Sequence, residues 1–268
     1  SRHVSPCNRS ELMFTLHAFG DWSRDAVTVT WTGGTHRVPP DVEALVEQAW
    51  HRAARPNVQL FDGPMCRLES WSATPQRFAM ALSRTSYKEF VGTNLTRAGD
   101  LVDRYGTGAL ANPVGVSVAL RTADGFLLLG RRNANVAYYP GRVHPFAGAM
   151  EPREGADPFA TVARELEEEL ALPATATADV RLIGLVADDS IRQPELIFAA
   201  DTVRTRDEVA TALDAAEHDG LYAVRTTPDA LVAVSREPQF TPVALATILL
   251  WGRRAHGDEW YPARSRGL

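Results

Sequence analysis

Three glutamates in one short segment are the residues of this chain whose types and spacing most clearly suggest chemistry. They are Glu165, Glu168 and Glu169. A helix advances by about 100° per residue, so the three carboxylates fall within an arc of roughly 100°. Like charges this close repel each other, and a divalent cation such as Mg²⁺ or Mn²⁺, which prefers oxygen ligands, would remove that repulsion. The spacing therefore predicts a metal site made by these three glutamates.

An acidic run on a helix is also typical of a solvated face, so the apolar residues of the same helix matter. One apolar stripe consists of Phe159, Val162, Leu166 and Leu170. Glu165 and Glu169 fall at the edge of this stripe, where a carboxylate can face a cleft. Arg164 precedes Glu165 directly, and we expect it to brace a loop carbonyl or a carboxylate.

The segment resembles the Nudix box of the Nudix hydrolases, whose pattern is Gly-x5-Glu-x7-Arg-Glu-U-x-Glu-Glu-x-Gly-U, where U is apolar. The matching residues are Arg164, Glu165, Leu166, Glu168, Glu169 and Leu172. The spacing from Gly148 to Arg164 is two residues longer than in the pattern. Ala156 occupies the place of the first glutamate, for which Glu154 or Asp157 is expected to substitute. Ala171 replaces the second glycine, so the usual left-handed helix cap must be built some other way.

Three further segments, Leu60–Ser70, Thr85–Asn94 and Asn112–Leu120, resemble the UDP-sugar pyrophosphatase branch of the same superfamily. The resemblance implies a Nudix α/β/α sandwich with a mixed β-sheet, preceded by an N-terminal α+β accessory region. It also implies hydrolysis of UDP-glucose or UDP-galactose to UMP and a sugar 1-phosphate. The implied cofactor is Mg²⁺, with Mn²⁺ as the alternative. The metal carboxylates of that branch lie four residues apart, which here gives Glu165 and Glu169. Two alternatives remain open: an ADP-ribose or dinucleotide pyrophosphatase, and a non-catalytic sensor of nucleotide sugars.

Glu195 is the candidate for a further catalytic carboxylate, because cleavage of a phosphoanhydride requires a positioned water and its base or an extra metal ligand. The related branch carries a glutamate at the matching place. The alternative for Glu195 is an ordinary charge at a strand edge. Asp188 and Asp189 are weaker candidates, since adjacent aspartates often make a turn. The histidines show no pairing at metal-ligand spacing.

Cationic and polar side chains are expected to bind the substrate. Arg131 and Arg132 leave a predicted strand toward the box loop, where either could reach a phosphate or remain exposed to solvent. The remaining substrate candidates are Tyr87, Lys88, Thr93, Asn94 and Arg67. Tyrosine can stack on a base and asparagine can pair with the uracil edge, although capping, turns and a buried ion pair are the structural alternatives.

The composition is that of an ordinary globular protein, with 45% hydrophobic and 23% charged residues among 268. A net charge of −5 argues against a nucleic-acid surface. The longest apolar run is too short to span a membrane. Only two cysteines occur, which suits a reducing, cytoplasmic compartment. The oligomeric state is not predicted.

The chain divides into a predicted accessory or substrate-binding region, residues 1–105, and a Nudix hydrolase domain, residues 106–268. Thr93–Gly106 is predicted to be a connecting or substrate loop. Asp207–His218 is predicted to be a helix. Alternation and capping signals predict strands within residues 12–19, 26–31, 66–72, 77–83, 114–121, 125–130, 180–188 and 196–200, and helices within residues 39–55, 228–235 and from 241 onward.

Overall fold

The computed structural model describes residues 14–54, 60–134, 136, 138–153 and 156–261. The strands are β1 (Phe14–Trp22), β2 (Val27–Thr35), β3 (Pro64–Ala73), β4 (Phe78–Ser86), β5 (Gly115–Arg121), β6 (Phe126–Arg132), β7 (Val143–His144), β8 (Phe146–Ala149), β9 (Thr177–Asp188), β10 (Gln193–Thr202) and β11 (His218–Arg225). The helices are α1 (Pro40–Ala53), α2 (Tyr87–Gly92), α3 (Asn94–Tyr105), α4 (Pro158–Leu170), α5 (Arg206–Ala210), α6 (Pro228–Ser235) and α7 (Pro242–His256). None of these described helices is long and apolar enough to cross a bilayer.

The strands form two sheets. The large sheet has the order β1-β9-β10-β5-β6-β11, and the small sheet has the order β2-β4-β3. The large sheet is mixed, because β10 and β5 run parallel while β9 and β10 run antiparallel. The N-terminal part of the chain contributes to both sheets, since β1 pairs with β9 at the edge of the large one. The domain boundary at residue 105 stays a prediction.

The large sheet splits at one end. β5 and β6 are paired only between Leu120 and Leu128 and between Arg121 and Leu127. Beyond these pairs the two strands diverge, and two short strands fill the gap. There β8 pairs with β5 and β7 pairs with β6. The split places β7 and β8 in the middle of the sheet, and β8 lies next to α4, the helix that carries the glutamates.

Each face of the large sheet is covered by a different layer. The apolar stripe of α4 and the small sheet pack on one face, in a core that includes Phe198 and Phe78. The buried side of α7 packs on the other face against Ile197 and Ile183. The fold is therefore the predicted α/β/α sandwich. A tight turn over residues 122–125 joins β5 to β6, with Gly125 at a φ of 81°.

Two predicted elements were wrong. Residues 93–106 are not a loop, because most of them form α3, which tolerates Gly99 and bends at Arg97 (φ −148°, ψ 24°). The predicted helix over residues 207–218 ends early, after α5. Its backbone turns where the Asp214 carboxylate accepts a hydrogen bond from the amide of Ala216 (2.9 Å), a local bond that competes with a helix. His218 consequently begins strand β11.

The C-terminal end of α4 is capped without the glycine of the box pattern. Ala171 itself adopts the left-handed conformation (φ 48°, ψ 37°) that glycine usually supplies. Its amide donates to the carbonyl of Glu167 at 3.0 Å, and the next amide, of Leu172, donates to the carbonyl of Leu166 at 3.1 Å. The left-handed cap is therefore present, and alanine bears its steric cost.

We expect Ala171→Gly to raise the free energy of unfolding by about 1 kcal/mol, because glycine relieves the left-handed strain and loses only part of that gain to chain entropy. The matched control is Ala163→Gly in the interior of α4, which should lower the free energy of unfolding by about 1 kcal/mol. Urea unfolding of both variants measures the difference. A destabilised Ala171→Gly protein would contradict the cap.

Candidate active site

Helix α4 presents Glu165 and Glu169 to the split end of the large sheet. The helix begins with Asp157, whose carboxylate accepts from the amide of Phe159 (2.9 Å), followed by Pro158 in the first turn. Because the apolar stripe fixes the rotation of the helix, both carboxylates are buried at its edge, with exposures of 8% and 4%. Asp157 also pairs with Arg24. The other candidate for the first box glutamate, Glu154, lies outside the described residues.

Arg164 bridges two of the three predicted metal ligands. Its guanidinium lies 2.6 Å from Glu165 Oε1 and 2.7 Å from Glu168 Oε2. The Glu168 side chain is 59% exposed. The structure therefore brings Glu165 and Glu169 together in the interior, whereas Glu168 lies outside and shares Arg164.

The carboxyl groups of α4 are short of positive charge. Burial raises the pKa of Glu165 to about 7, against the opposing effect of Arg164, and the charges of Glu169, Glu168 and Glu217 add to the rise. Burial also raises the pKa of Glu169. The contact with His218 opposes this rise, and the charge of Glu217 adds to it. Buried acids that are only partly neutralised are suited to bind a divalent cation, which prefers oxygen ligands.

His218 and Glu217 join this site from β11 and the residue before it. Ligand atoms of Glu169, Glu217 and His218 lie within 4.8 Å of one another, close enough to hold a metal ion. The ring Nε2 of His218 is 3.0 Å from Glu169 Oε2. Neither residue was predicted from the sequence, because both fall in the predicted helix over residues 207–218. In addition, His218 has no second histidine at metal-ligand spacing along the chain.

Glu195 lies on the opposite face of the sheet. Alternation along β10 directs it to the α7 side with Ile197, whereas α4 packs on the other side. The hydroxyl of Ser117 donates to its Oε1. Burial raises the pKa of Glu195 to about 8, Ser117 lowers it, Asp188 raises it further and Arg132 opposes.

The carboxylates of Glu165 and Glu195 nevertheless lie against neighbouring residues of the backbone. A side chain at Gly148 would overlap the carboxylate of Glu165, and one at Gly115 would overlap that of Glu195. Gly148 pairs with Val116, the residue after Gly115, in the β5–β8 ladder. The two acids therefore flank one short stretch of that ladder.

Tyr138 interacts with Arg132 and feels the charge of Glu195. The Arg132 guanidinium lies 4.7 Å from its ring centroid and donates to its carbonyl at 3.1 Å. Burial raises the pKa of the Tyr138 phenol, Arg132 opposes this, and Glu195, Asp188 and Tyr87 add to it. Arg132 thus contacts Tyr138, and the charges of Glu195 and Tyr87 act on its phenol, although Tyr138 was not predicted from the sequence.

Other predicted substrate residues are engaged in structural contacts. Lys88 pairs with Glu47 at 2.5 Å. Arg131 donates to Gln239 Oε1 at 2.8 Å and to a carbonyl, and Arg67 donates to Glu69 at 2.6 Å. The two weaker candidates for a catalytic carboxylate are engaged as well. The Asp188 carboxylate accepts hydrogen bonds from the Tyr139 hydroxyl at 2.8 Å and, in a turn, from the amide of Ser190. The Asp189 carboxylate accepts from the hydroxyl of Thr15 at 2.7 Å.

Thr93 and Asn94 hold the backbone where α2 meets α3. The Thr93 hydroxyl donates to the carbonyl of Glu89 (2.7 Å), and Asn94 Nδ2 donates to the carbonyl of Ile191 (2.9 Å). The side-chain oxygen of Asn94, Oδ1, accepts a hydrogen bond from the backbone amide of Asn112 at 3.2 Å. In this arrangement both side chains connect the N-terminal region to the start of β5.

Glu195→Gln should stabilise the protein progressively as the pH rises. The folded pKa of about 8 exceeds the ordinary value of 4.5, so stability from this group is present below pH 4.5 and is lost as the pH rises to about 8. Glutamine carries no such loss. We expect the melting temperature of the variant, relative to that of the native protein, to increase between pH 5 and pH 8.5 by about 10 °C, the equivalent of about 4 kcal/mol.

The control for this measurement is Glu167→Gln on the exposed side of α4. Its melting temperature should follow that of the native protein at every pH. A constant difference between Glu195→Gln and the native protein across the range would show that Glu195 does not bind a proton on folding.

Comparison with known proteins identifies the family. Residues 111–242 match the NUDIX domain. Uridine diphosphate glucose pyrophosphatase NUDT22 of Mus musculus is 27% identical over 90% of this chain and 90% of its own length. The Homo sapiens protein of that name is 26% identical over 80% and 82%, and Nudix hydrolase 9 of Arabidopsis thaliana is 22% identical over 76% and 78%. The chain therefore belongs to the Nudix hydrolase superfamily and is a Nudix pyrophosphatase.

Proposed function

We propose that this protein is a Mg²⁺-dependent pyrophosphatase of UDP-glucose or UDP-galactose that releases UMP and a sugar 1-phosphate. One observation carries the choice of substrate. The similarity to proteins named uridine diphosphate glucose pyrophosphatase covers up to 90% of the chain, well beyond residues 111–242. The N-terminal region, which lies outside the NUDIX match, is therefore shared with those relatives.

Glu165 and Glu169 are the proposed metal ligands. Their buried oxygens, raised pKa values and position four residues apart on α4 support this role. When bound, Mg²⁺ would neutralise charge on the diphosphate and lower the pKa of a water. Arg164 holds Glu165 in place through its ion pair. Glu168, although part of the box, is proposed to act only through Arg164.

Glu195 is the proposed general base. A base is most effective when its pKa lies near the working pH, and the burial of Glu195 brings its pKa to about 8. The carboxylate fraction that forms near this pH is able to accept the proton of the attacking water, and Ser117 holds it by a hydrogen bond. Its place beside Gly115, across the ladder from Gly148, supports this role.

Tyr87, Tyr138 and Arg132 are proposed to bind the nucleotide sugar. An aromatic ring is able to stack on uracil, and a guanidinium is able to bind phosphate oxygens. Their grouping with Glu195 supports this assignment. Lys88, Thr93, Asn94, Arg67 and Arg131 are proposed to shape the walls of the site through the contacts described above.

A panel of nucleoside diphosphate compounds, assayed with Mg²⁺ for release of nucleoside monophosphate, tests the proposal. We expect UDP-glucose and UDP-galactose to be hydrolysed with the highest kcat/KM. Faster hydrolysis of ADP-ribose or a dinucleotide would reassign the substrate. Binding of UDP-glucose without release of UMP would make the protein a sensor.

Glu169→Gln should lower kcat on the order of 10²-fold at saturating Mg²⁺, because glutamine keeps the shape but removes a charged ligand. Glu168→Gln is the matched control on the same helix. It should change kcat by no more than roughly threefold, because its carboxylate forms an exposed ion pair. Steady-state kinetics of the two variants compare them directly. Equal losses in both would mean that Glu168 is also a ligand.

Hydrolysis in ¹⁸O-labelled water should place the label in a phosphate-containing product. Metal ligands beside a diphosphate favour attack of water on phosphorus, which yields UMP and a sugar 1-phosphate. Attack on the anomeric carbon would instead yield UDP and free sugar. Mass spectrometry of the products separates the routes, and label found only in free sugar would refute the proposed carboxylate roles.

A further inference from the structure

His218 is a buried side chain that contacts a proposed metal ligand. It begins β11, is 4% exposed, and its ring centroid lies 5.4 Å from that of Phe146 in an edge-to-face arrangement. Its Nε2 lies 3.0 Å from Oε2 of Glu169. The other oxygen of Glu169 accepts a long bond, 3.4 Å, from the amide of Ala147. The imidazole is therefore the shorter of the two contacts that orient this carboxylate.

The hydrogen-bond pattern assigns the proton of the ring. Glu169 is an acceptor when ionised, so the nitrogen that faces it at 3.0 Å carries the hydrogen. Nδ1 is buried and has no hydrogen-bond partner among the described residues. It lies against the backbone of Gly130, where a side chain would overlap it. A lone pair at Nδ1 costs less in that place than an unpaired N–H donor.

Neither ring nitrogen of His218 is available to a metal ion beside Glu169. Nε2 carries the hydrogen that it donates to the Glu169 carboxylate. Nδ1 has the lone pair that could bind a metal, but it is buried against the backbone of Gly130, which leaves no space for an ion. The cluster of Glu169, Glu217 and His218 therefore contains an orienting donor rather than three ligands.

We propose that His218 is a positioning residue, which fixes the rotamer of Glu169 by donating from Nε2 and so sets the affinity of the α4 site for its divalent cation. The proposal rests on the proposed function, since it takes Glu169 to be a metal ligand. Gly130 contributes to this arrangement, because it has no side chain and so leaves the space that the His218 ring occupies.

Two variants of similar size test the role of the donor. Glutamine places an amide N–H near the position of the histidine Nε2, whereas methionine has similar length without a donor. We expect His218→Met to weaken Mn²⁺ binding by about 10-fold or more, the usual effect of losing a partner that orients a ligand. His218→Gln should restore the affinity to within about threefold of the native protein, because the glutamine amide replaces the hydrogen bond that the imidazole donates.

Mn²⁺ affinity is measured by calorimetry and by the free-ion signal in electron paramagnetic resonance, without any substrate. The control is His256→Met at the end of α7, where Nε2 makes a 3.0 Å contact with the carbonyl of Thr226. This variant should bind Mn²⁺ as the native protein does. Native affinity in His218→Met, or a loss in His218→Gln as large as in His218→Met, would overturn the proposal.

A measurement on the native protein covers the case in which a variant does not fold. Pulsed electron paramagnetic resonance of the Mn²⁺-bound protein should show no coupling from a directly coordinated imidazole nitrogen, and such a coupling would make His218 a ligand and overturn the proposal. The proposed function fails separately, if the Mn²⁺ results are as expected but no nucleotide sugar is hydrolysed.

Discussion

The site depends on the close approach of buried ionisable side chains to backbone that carries no side chain. Gly115, Gly130 and Gly148 lie on three strands at the split end of the large sheet. At each of them a Cβ atom would overlap Glu195, His218 or Glu165 respectively. The absence of three side chains thus creates the volume that the functional groups occupy. Because packed interiors tolerate no such overlap, these positions constrain the site as strictly as the acids themselves.

Burial of these acids has an energetic cost that the chain only partly offsets. Arg164 neutralises Glu165 from the solvent side, and His218 supplies a single donor to Glu169. Within the described part of the chain, the Ser117 hydroxyl is the one hydrogen-bond partner of the Glu195 carboxylate. Desolvation therefore outweighs the favourable contacts, and the pKa of each acid rises. An incompletely neutralised group of acids is less stable on its own and binds a cation more strongly, which ties folding stability to metal affinity.

Much of α4 was predictable because periodicity is a local property of the sequence. The apolar stripe fixed the helix rotation, and this alone predicts that Glu165 and Glu169 face inward. The partners of these carboxylates were not predictable. His218 lies 49 residues after Glu169 in sequence. It reaches Glu169 only because α5 stops at Ala210 and the chain returns as β11, which pairs with β6. Ala171 shows the same limit, since the backbone hydrogen bonds that close α4 hold alanine in a conformation that its own preference disfavours.

The N-terminal region is attached to the site by backbone as well as by side chains. The amide of Cys66 in β3 donates to the carbonyl of Met150 at 2.8 Å, and its carbonyl accepts from the amide of Val114 at 2.8 Å. Val114 and Met150 directly adjoin Gly115 and β8, so one residue of the small sheet joins the two strands that carry the site.

A displacement of β3 would therefore move the backbone against which Glu165 and Glu195 lie. Thr93 and Asn94 act in the same direction, since they hold the amides of Ala111 and Asn112 just before β5. This mechanical link gives a physical reason why the similarity to the pyrophosphatase relatives extends into the first hundred residues. The geometry of the buried carboxylates is set jointly by the NUDIX domain and by the region that precedes it.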